Sequence, residues 1–151
     1  MDQKRENLRG MGWPNEAIAF LEMFASAEGA MKRGKFANKN KVRAEADWGA
    51  LAAELKEEFF VAIRDSKKAS TLIETPPKKF MRDTGWQNDQ PAKIESVRDL
   101  FVRGVCMVRN NLGHGDKYIG TDEDRKRDAI LITEATYVLR QALVNAQGKI
   151  G

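Results

Sequence analysis

The chain has one cysteine, Cys106, and one histidine, His114. A lone cysteine excludes an internal disulfide framework. Together the two residues are too few for the common structural zinc sites, which take four Cys or His ligands. No apolar run approaches the ~18–20 residues that a bilayer span needs. The opening stretch MDQKRENLRG is charged and has no apolar core, so it does not read as a secretory leader. Strand signals are equally scarce, with β-branched residues scattered and no alternating apolar and polar runs. There is no internal repeat and no low-complexity segment. These absences lead to the expectation of a cytoplasmic protein in a reducing compartment, with no membrane association, no metal and no cofactor. The 151 residues, 42% of them hydrophobic, have the apolar mass for one domain over 1–151. Lys and Arg exceed Asp and Glu by 26 to 22, a net charge of +4 that permits a nucleic-acid partner without requiring one.

What is present reads at helical period. Pro14, Pro76, Pro77 and Pro91 separate the stretches, because proline disfavours helix in the residue before it. The first helix is expected over Asn15–Met31, capped by Asn15, with Ile18, Leu21, Phe24 and Ala25 as its apolar stripe. A second is expected over Glu45–Asp65, where Trp48, Leu51, Ala52, Leu55, Phe59 and Ile63 recur at helical spacing. A short piece near Ser70–Glu74 precedes Pro76-Pro77. The stretch Arg82–Pro91 is rich in turn formers and reads as a surface loop. A further helix spans Lys93–Leu112, with Ile94, Val97, Phe101, Val105, Val108 and Leu112 on one stripe. The last spans Thr121–Ala146, with Thr121 and Asp124 resembling a capping box and Ile130, Leu131, Ala135, Val138, Leu139 and Ala142 facing inward. The result is an all-α bundle of four to five helices. The short link between its last two makes them an antiparallel pair.

The chemistry-bearing stretch is Val108-Arg-Asn-Asn-Leu-Gly-His-Gly-Asp-Lys117. In an uninterrupted helix Arg109 and His114 would point about 140° apart. Gly113 and Gly115 offer another geometry, in which a left-handed turn past the helix end folds His114 back toward Arg109. If the helix instead continues, His114 pairs with Asn110 at i, i+4. In both cases Arg, Asn and His gather at one helix end. Histidine exchanges protons near neutral pH, and arginine grips phosphate with two prongs. The Asn amide can donate to an oxygen or orient the imidazole. These are parts for metal-free RNA cleavage, in which a base deprotonates the ribose 2′-OH and arginine stabilises charge on the attacked phosphate. One histidine cannot serve as both base and acid unless a second copy of the chain supplies another. The same residues also suit a simple helix C-terminus, where a cationic side chain meets unpaired carbonyls.

The run RNNLGHG at a helix end resembles the signature of the HEPN superfamily (higher eukaryotes and prokaryotes nucleotide-binding domains). That signature is an arginine, four to six residues, then histidine, often with a polar residue after the arginine. The similarity extends from about Leu72 to Lys117, through TLIETPPKKF, the GWQND loop and SVRDLFVRGVCMVRNNLGHGDK. The resemblance implies a helical dimer with two motifs face to face. It implies metal-independent endoribonuclease activity, often as a toxin or anti-phage effector, with an antitoxin or sensor protein as a possible partner. Carried over, His114 would transfer the proton, Arg109 anchor the phosphate and Asn110 assist. An acidic or polar residue from an earlier helix is also usual, and Glu45 and Asp47 are the candidates. HEPN toxins silenced by nucleotidyltransferase antitoxins carry a tyrosine two residues after the histidine, where this chain has Asp116.

Around the motif, Lys32, Arg33, Lys35, Lys39, Lys41 and Arg43 form an acid-free run. It reads either as a loop tracking an RNA backbone or as a solvated linker. Lys78, Lys79 and Lys117 would widen that surface. Trp48 reads as core, and Trp86 as a base platform or as a lid on the bundle. Cys106 reads as a small apolar filler. A face for dimerisation would lie near Val102, Cys106 and Arg109, off the main stripe. The alternatives to a nuclease are a non-catalytic RNA-, nucleotide- or partner-binding module, and a purely structural subunit.

Overall fold

The computed structural model describes residues 3, 14–38, 45–81, 85–112 and 122–146. Helix α1 (Asn15–Arg33) opens on Pro14, whose extended backbone and free carbonyl take the Ala17 and Ile18 amides at 3.1 and 3.2 Å. Asn15, expected as the cap, is therefore the first helical residue, since proline's fixed φ and extended ψ suit the position outside the helix. Ala17, Phe20, Phe24, Ala27 and Met31 are buried at steps of three and four. Ala25 lies one residue round from that stripe and is exposed, against expectation.

Helix α2 (Trp48–Ser66) starts later than the apolar pattern suggests. Ala37 and Ala46 form an antiparallel bridge that holds the chain extended up to Asp47. The Asp47 carboxylate then accepts the Ala50 amide at 3.0 Å and caps the helix. Within α2, Lys56 has φ 70° and ψ 167°, which breaks the rod and costs about 1–3 kcal/mol of local strain in a non-glycine residue. The break shifts the buried face: Phe59, Phe60 and Ile63 are buried beyond it, while Leu55 is half-buried. The helix ends at Lys67, which is left-handed at φ 63°.

Helix α3 (Ser70–Glu74) has no side-chain cap of its own. The Glu134 carboxylate, distant in sequence, accepts the Leu72 amide at 2.7 Å instead. After buried Pro76 and Pro77 comes a small antiparallel pair, β1 (Phe80–Met81), just before the expected surface loop, and β2 (Gly85–Trp86), inside it. Gly85, the first residue of β2, sits at φ 76°, a left-handed position that glycine takes cheaply. The hairpin corrects the reading of residues 82–91 as loop throughout, and it is the sole sheet among the described residues.

Helix α4 covers 97–112 as one rod: α-helical at Val97–Asp99, π-helical at Leu100–Val105, and α-helical again at Cys106–Leu112. It begins at Val97, not Lys93. Ser96 accepts the Asp99 amide at 3.1 Å, and Glu57 of α2 accepts the Val97 amide at 2.8 Å. Ile94 is buried ahead of the helix, its amide donating to the Ile73 carbonyl at 2.8 Å. Val97, Phe101, Val105, Val108 and Leu112 are buried as the periodicity requires.

Helix α5 (Asp122–Asn145) buries Leu131, Ile132, Ala135, Val138, Leu139 and Ala142. Ile130 was expected on this stripe but is 46% exposed, because it sits about 100° round from Leu131. The Thr121 half of the expected capping box lies outside the described residues.

The fold is an all-α bundle. Helix α4 lies at its centre and touches α1, α2, α3 and α5, while α1 packs along α5. A row of rings ties the centre together. Phe24 stacks on Trp48 at 4.9 Å, Trp48 on Phe101 at 5.9 Å, and Phe101 on Phe59 at 5.9 Å between centroids. Trp48 is 8% exposed, a core residue as its place on the apolar stripe requires. No helix among the described residues is long and apolar enough to cross a membrane.

Candidate functional site

The last turn of α4 carries Arg109, Asn110 and Asn111 in three different settings. Arg109 is exposed, and its guanidinium carbon lies 5.9 Å from the centre of the Phe24 ring on α1. That ring is buried and packed between Phe20 and Trp48, so the cation lies over a well-packed base. Asn110 is exposed beside it. Asn111 is 1% exposed, and its amide nitrogen donates to the Lys78 carbonyl at 2.9 Å. The Asn111 side-chain oxygen is buried without a hydrogen-bond partner. His114 and Lys117 lie outside the described residues.

One turn before Arg109 is Cys106, half-buried against the core. Burial, joined by the negative charge of nearby Glu28 and opposed by Arg109, pushes its thiol up to about 12. Such a thiol is protonated at any cellular pH, in keeping with a packing role. Glu28, on α1, also accepts the indole N–H of Trp48 at 3.4 Å. An acidic side chain of an earlier helix that reaches this end of the bundle, toward Cys106 and Trp48, is thus Glu28, which the sequence did not single out. The available signal was its position one turn after Phe24, polar on an otherwise apolar stripe. The two named candidates are placed differently. Glu45 is exposed and its carbonyl accepts the Asn38 amide at 2.7 Å, while the Asp47 carboxylate is engaged by the Ala50 amide.

The basic run divides in the same way. Lys32 and Arg33 are exposed on the last turn of α1, where cations also suit the helix dipole. Lys35 pairs with Glu54 at 2.9 Å and lies over the Phe36 ring at 5.3 Å. Buried Phe36 accepts the Asp47 amide through its carbonyl at 2.7 Å and closes the stem of this loop. Lys39, Lys41 and Arg43 lie outside the described residues. Of the proposed dimer face, Val102 and Cys106 are half-buried and Arg109 is exposed.

On the other flank of α4, the hairpin is fastened at its root. Arg127 donates to the Thr75 carbonyl at 2.7 Å and to its hydroxyl at 3.2 Å. Gln90 donates to the Pro76 carbonyl at 2.8 Å, and Lys78 donates through its ammonium to the Asn88 carbonyl at 3.1 Å. Lys79 and Gln87 exchange two bonds, amide to side-chain oxygen at 3.1 Å and amide to carbonyl at 2.9 Å. Trp86, the next position along, is 38% exposed.

No protein-family model matches the chain, and it matches no curated protein and no solved structure. Chemically, the last turn of α4 offers an exposed guanidinium and an exposed carboxamide at neighbouring positions, groups suited to an oxyanion such as phosphate.

Proposed function

We propose that this protein is a metal-independent endoribonuclease of the HEPN type, acting as a homodimer with a composite site. The observation that carries the proposal is the exposure of Arg109 and Asn110 together on the last turn of the central helix, with the guanidinium seated over Phe24. A ring-backed arginine is pre-oriented, so less side-chain entropy is lost when a phosphate arrives. In the proposed reaction the His114 imidazole takes the ribose 2′-OH proton. The 2′-oxygen attacks the adjacent phosphorus, and Arg109 stabilises the charge that builds on the non-bridging oxygens. The second copy's His114 gives a proton to the departing 5′-oxygen. A 2′,3′-cyclic phosphate and a 5′-hydroxyl result. A toxin or anti-phage role, with an antitoxin or sensor as regulator, is the biological setting this chemistry fits.

The test is cleavage of single-stranded RNA in the presence of a chelator. Wild type should cleave and His114→Ala should not, with helicity and dimerisation preserved. Arg109→Ala should lose roughly 10²–10³-fold in rate, the usual effect of removing one donor to a developing oxyanion. Cleavage should follow a bell-shaped pH profile centred near neutrality, as paired histidines require. Undiminished cleavage by His114→Ala would end the catalytic assignment. Binding without product would identify a non-catalytic RNA-binding module.

A further inference from the structure

We infer that the outward face of α5, with the cleft between α5 and α2, is a docking surface for an acidic amphipathic helix of a partner protein. The inference does not depend on the nuclease reading, because this face shares no residue with Arg109 and Asn110. Of the large apolar residues that stand exposed among the described ones, three belong to these two helices: Val61 of α2 at 39%, and Ile130 and Val144 of α5 at 46% and 62%. Seven residues of helix bring a side chain back to within about 20° of its starting direction. Ile130, half-buried Tyr137 and Val144 therefore form one line along α5. The line is about 21 Å long, some four turns of helix. Beside it lies a cleft of about 330 Å³, walled by Tyr137, Gln141 and Asn145 of α5 and by Leu55, Phe59 and Ala62 of α2. The α5 wall advances in steps of four residues, so the cleft runs along the apolar line.

The charge around this face selects the occupant. Lys126 and Arg140 are exposed on α5, one turn before Ile130 and one turn after Tyr137. Lys68, just past the end of α2, holds its ammonium 5.4 Å from the centre of the Tyr137 ring, and exposed Lys67 precedes it. Several acidic groups here are engaged. The Glu134 carboxylate takes the Leu72 amide, Glu54 at the cleft pairs with Lys35 at 2.9 Å, and Asp65 pairs with Arg64 at 3.2 Å. Glu58 and Glu123 stand against Lys56, Lys67, Lys68, Lys126 and Arg140, so positive charge prevails around the apolar line. Such a surface suits a segment with acidic residues flanking apolar anchors at i, i+3, i+4 and i+7. A nucleic acid would use the cations but gains nothing from Ile130 and Val144, whose side chains offer a base neither a ring nor a hydrogen bond. A bilayer would use the cations and the apolar line but, being flat, cannot fill the cleft. A helix uses all three.

The test uses the full chain and a fluorescein-labelled helical peptide of about 18 residues, with leucines at i, i+3, i+4 and i+7 and glutamates on both flanks, read by fluorescence anisotropy. A second peptide of the same pattern carries lysines in place of the glutamates. Wild type should bind the glutamate peptide saturably and about 10-fold or more tighter than the lysine peptide. Val144→Asp, on the line, and Ala62→Trp, which fills the cleft, should each weaken that binding by about 5- to 30-fold. Both positions are exposed, so the unfolding midpoint should stay within about 2 °C of wild type. Arg140→Glu should weaken the glutamate peptide and strengthen the lysine peptide, a reversal that a merely destabilised fold does not produce. Equal binding of the two peptides, or a glutamate peptide indifferent to both Val144→Asp and Ala62→Trp, would overturn the inference. Failure of the glutamate peptide to bind would overturn it too, whether or not Arg140→Glu then lowers binding to single-stranded RNA or to phosphatidylserine vesicles.

Discussion

Replacing Glu134 with alanine should destabilise the protein by about 1–3 kcal/mol, through a helix that Glu134 does not belong to. Helix α3 lacks a capping side chain at Ala69, and the Glu134 carboxylate on α5 does that work from outside. It accepts the Leu72 amide at 2.7 Å. Truncation leaves that amide without its acceptor. Each charge-assisted bond is worth about 1.5–3 kcal/mol when fully desolvated. The half-buried carboxylate is partly solvated, so the lower part of that range applies to it. A loss of 1–3 kcal/mol in a chain of this size corresponds to a Tm lower by about 3–10 °C. Glu134→Gln keeps one acceptor oxygen and should cost less. The ionisation of Glu134 adds a pH signature. Burial pushes its carboxyl above its ordinary value, against the pull of the Leu72 and Thr71 bonds and Arg127. The folded protein then holds this proton to a higher pH than the unfolded chain does. Stability is complete below the ordinary value of 4.5 and falls as pH rises from there through the raised value. Urea unfolding of wild type and Glu134→Gln at several pH values from 4 to 7 isolates the effect. The gap between them should narrow, or reverse, as pH rises. An unchanged midpoint for Glu134→Ala at pH 7 would refute the capping role.

Lys67→Gly should raise stability by about 0.5–1 kcal/mol, since the left-handed position at φ 63° ends α2 and strains any residue with a Cβ; chemical denaturation measures it. Cys106 should resist iodoacetamide at pH 8 in the folded protein and react after unfolding, because its thiol is held near 12; rapid labelling of the native protein would contradict that. Asn111→Asp should be more damaging than Asn111→Ala, by about 2 kcal/mol or more, because it places a charge where the Lys78 carbonyl already faces the amide and no donor meets the other oxygen; thermal melts of the two variants decide the order.

The helices were legible because their apolar residues recur with the helical period over long stretches, and the Trp48 and Phe101 stripes meet in one aromatic row. Helix ends were legible only where the capping group is adjacent in sequence. Glu57 and Glu134 reach the starts of α4 and α3 from other helices, and no local pattern announces such a donor–acceptor pair. The break at Lys56 and the π-helical stretch at Leu100–Val105 were hidden because no proline marks either one. The hairpin was hidden because its strands are two residues each, too short for an alternating pattern. At the candidate site, Arg109 and Asn110 are exposed on the last turn of α4, while His114 lies outside the described residues. Asn111 and Glu28 escaped notice because their roles depend on what another segment places beside them: the Lys78 carbonyl and the Trp48 indole.

The most direct measurement is the chemical identity of the RNA ends left by the purified wild-type protein in excess chelator, read by mass spectrometry. Attack by the 2′-oxygen predicts fragments ending in a 2′,3′-cyclic phosphate, with no product from a strand carrying 2′-deoxyribose at the cleavage position. Fragments ending in a free 3′-hydroxyl, or cleavage that survives loss of the 2′-hydroxyl, would contradict it.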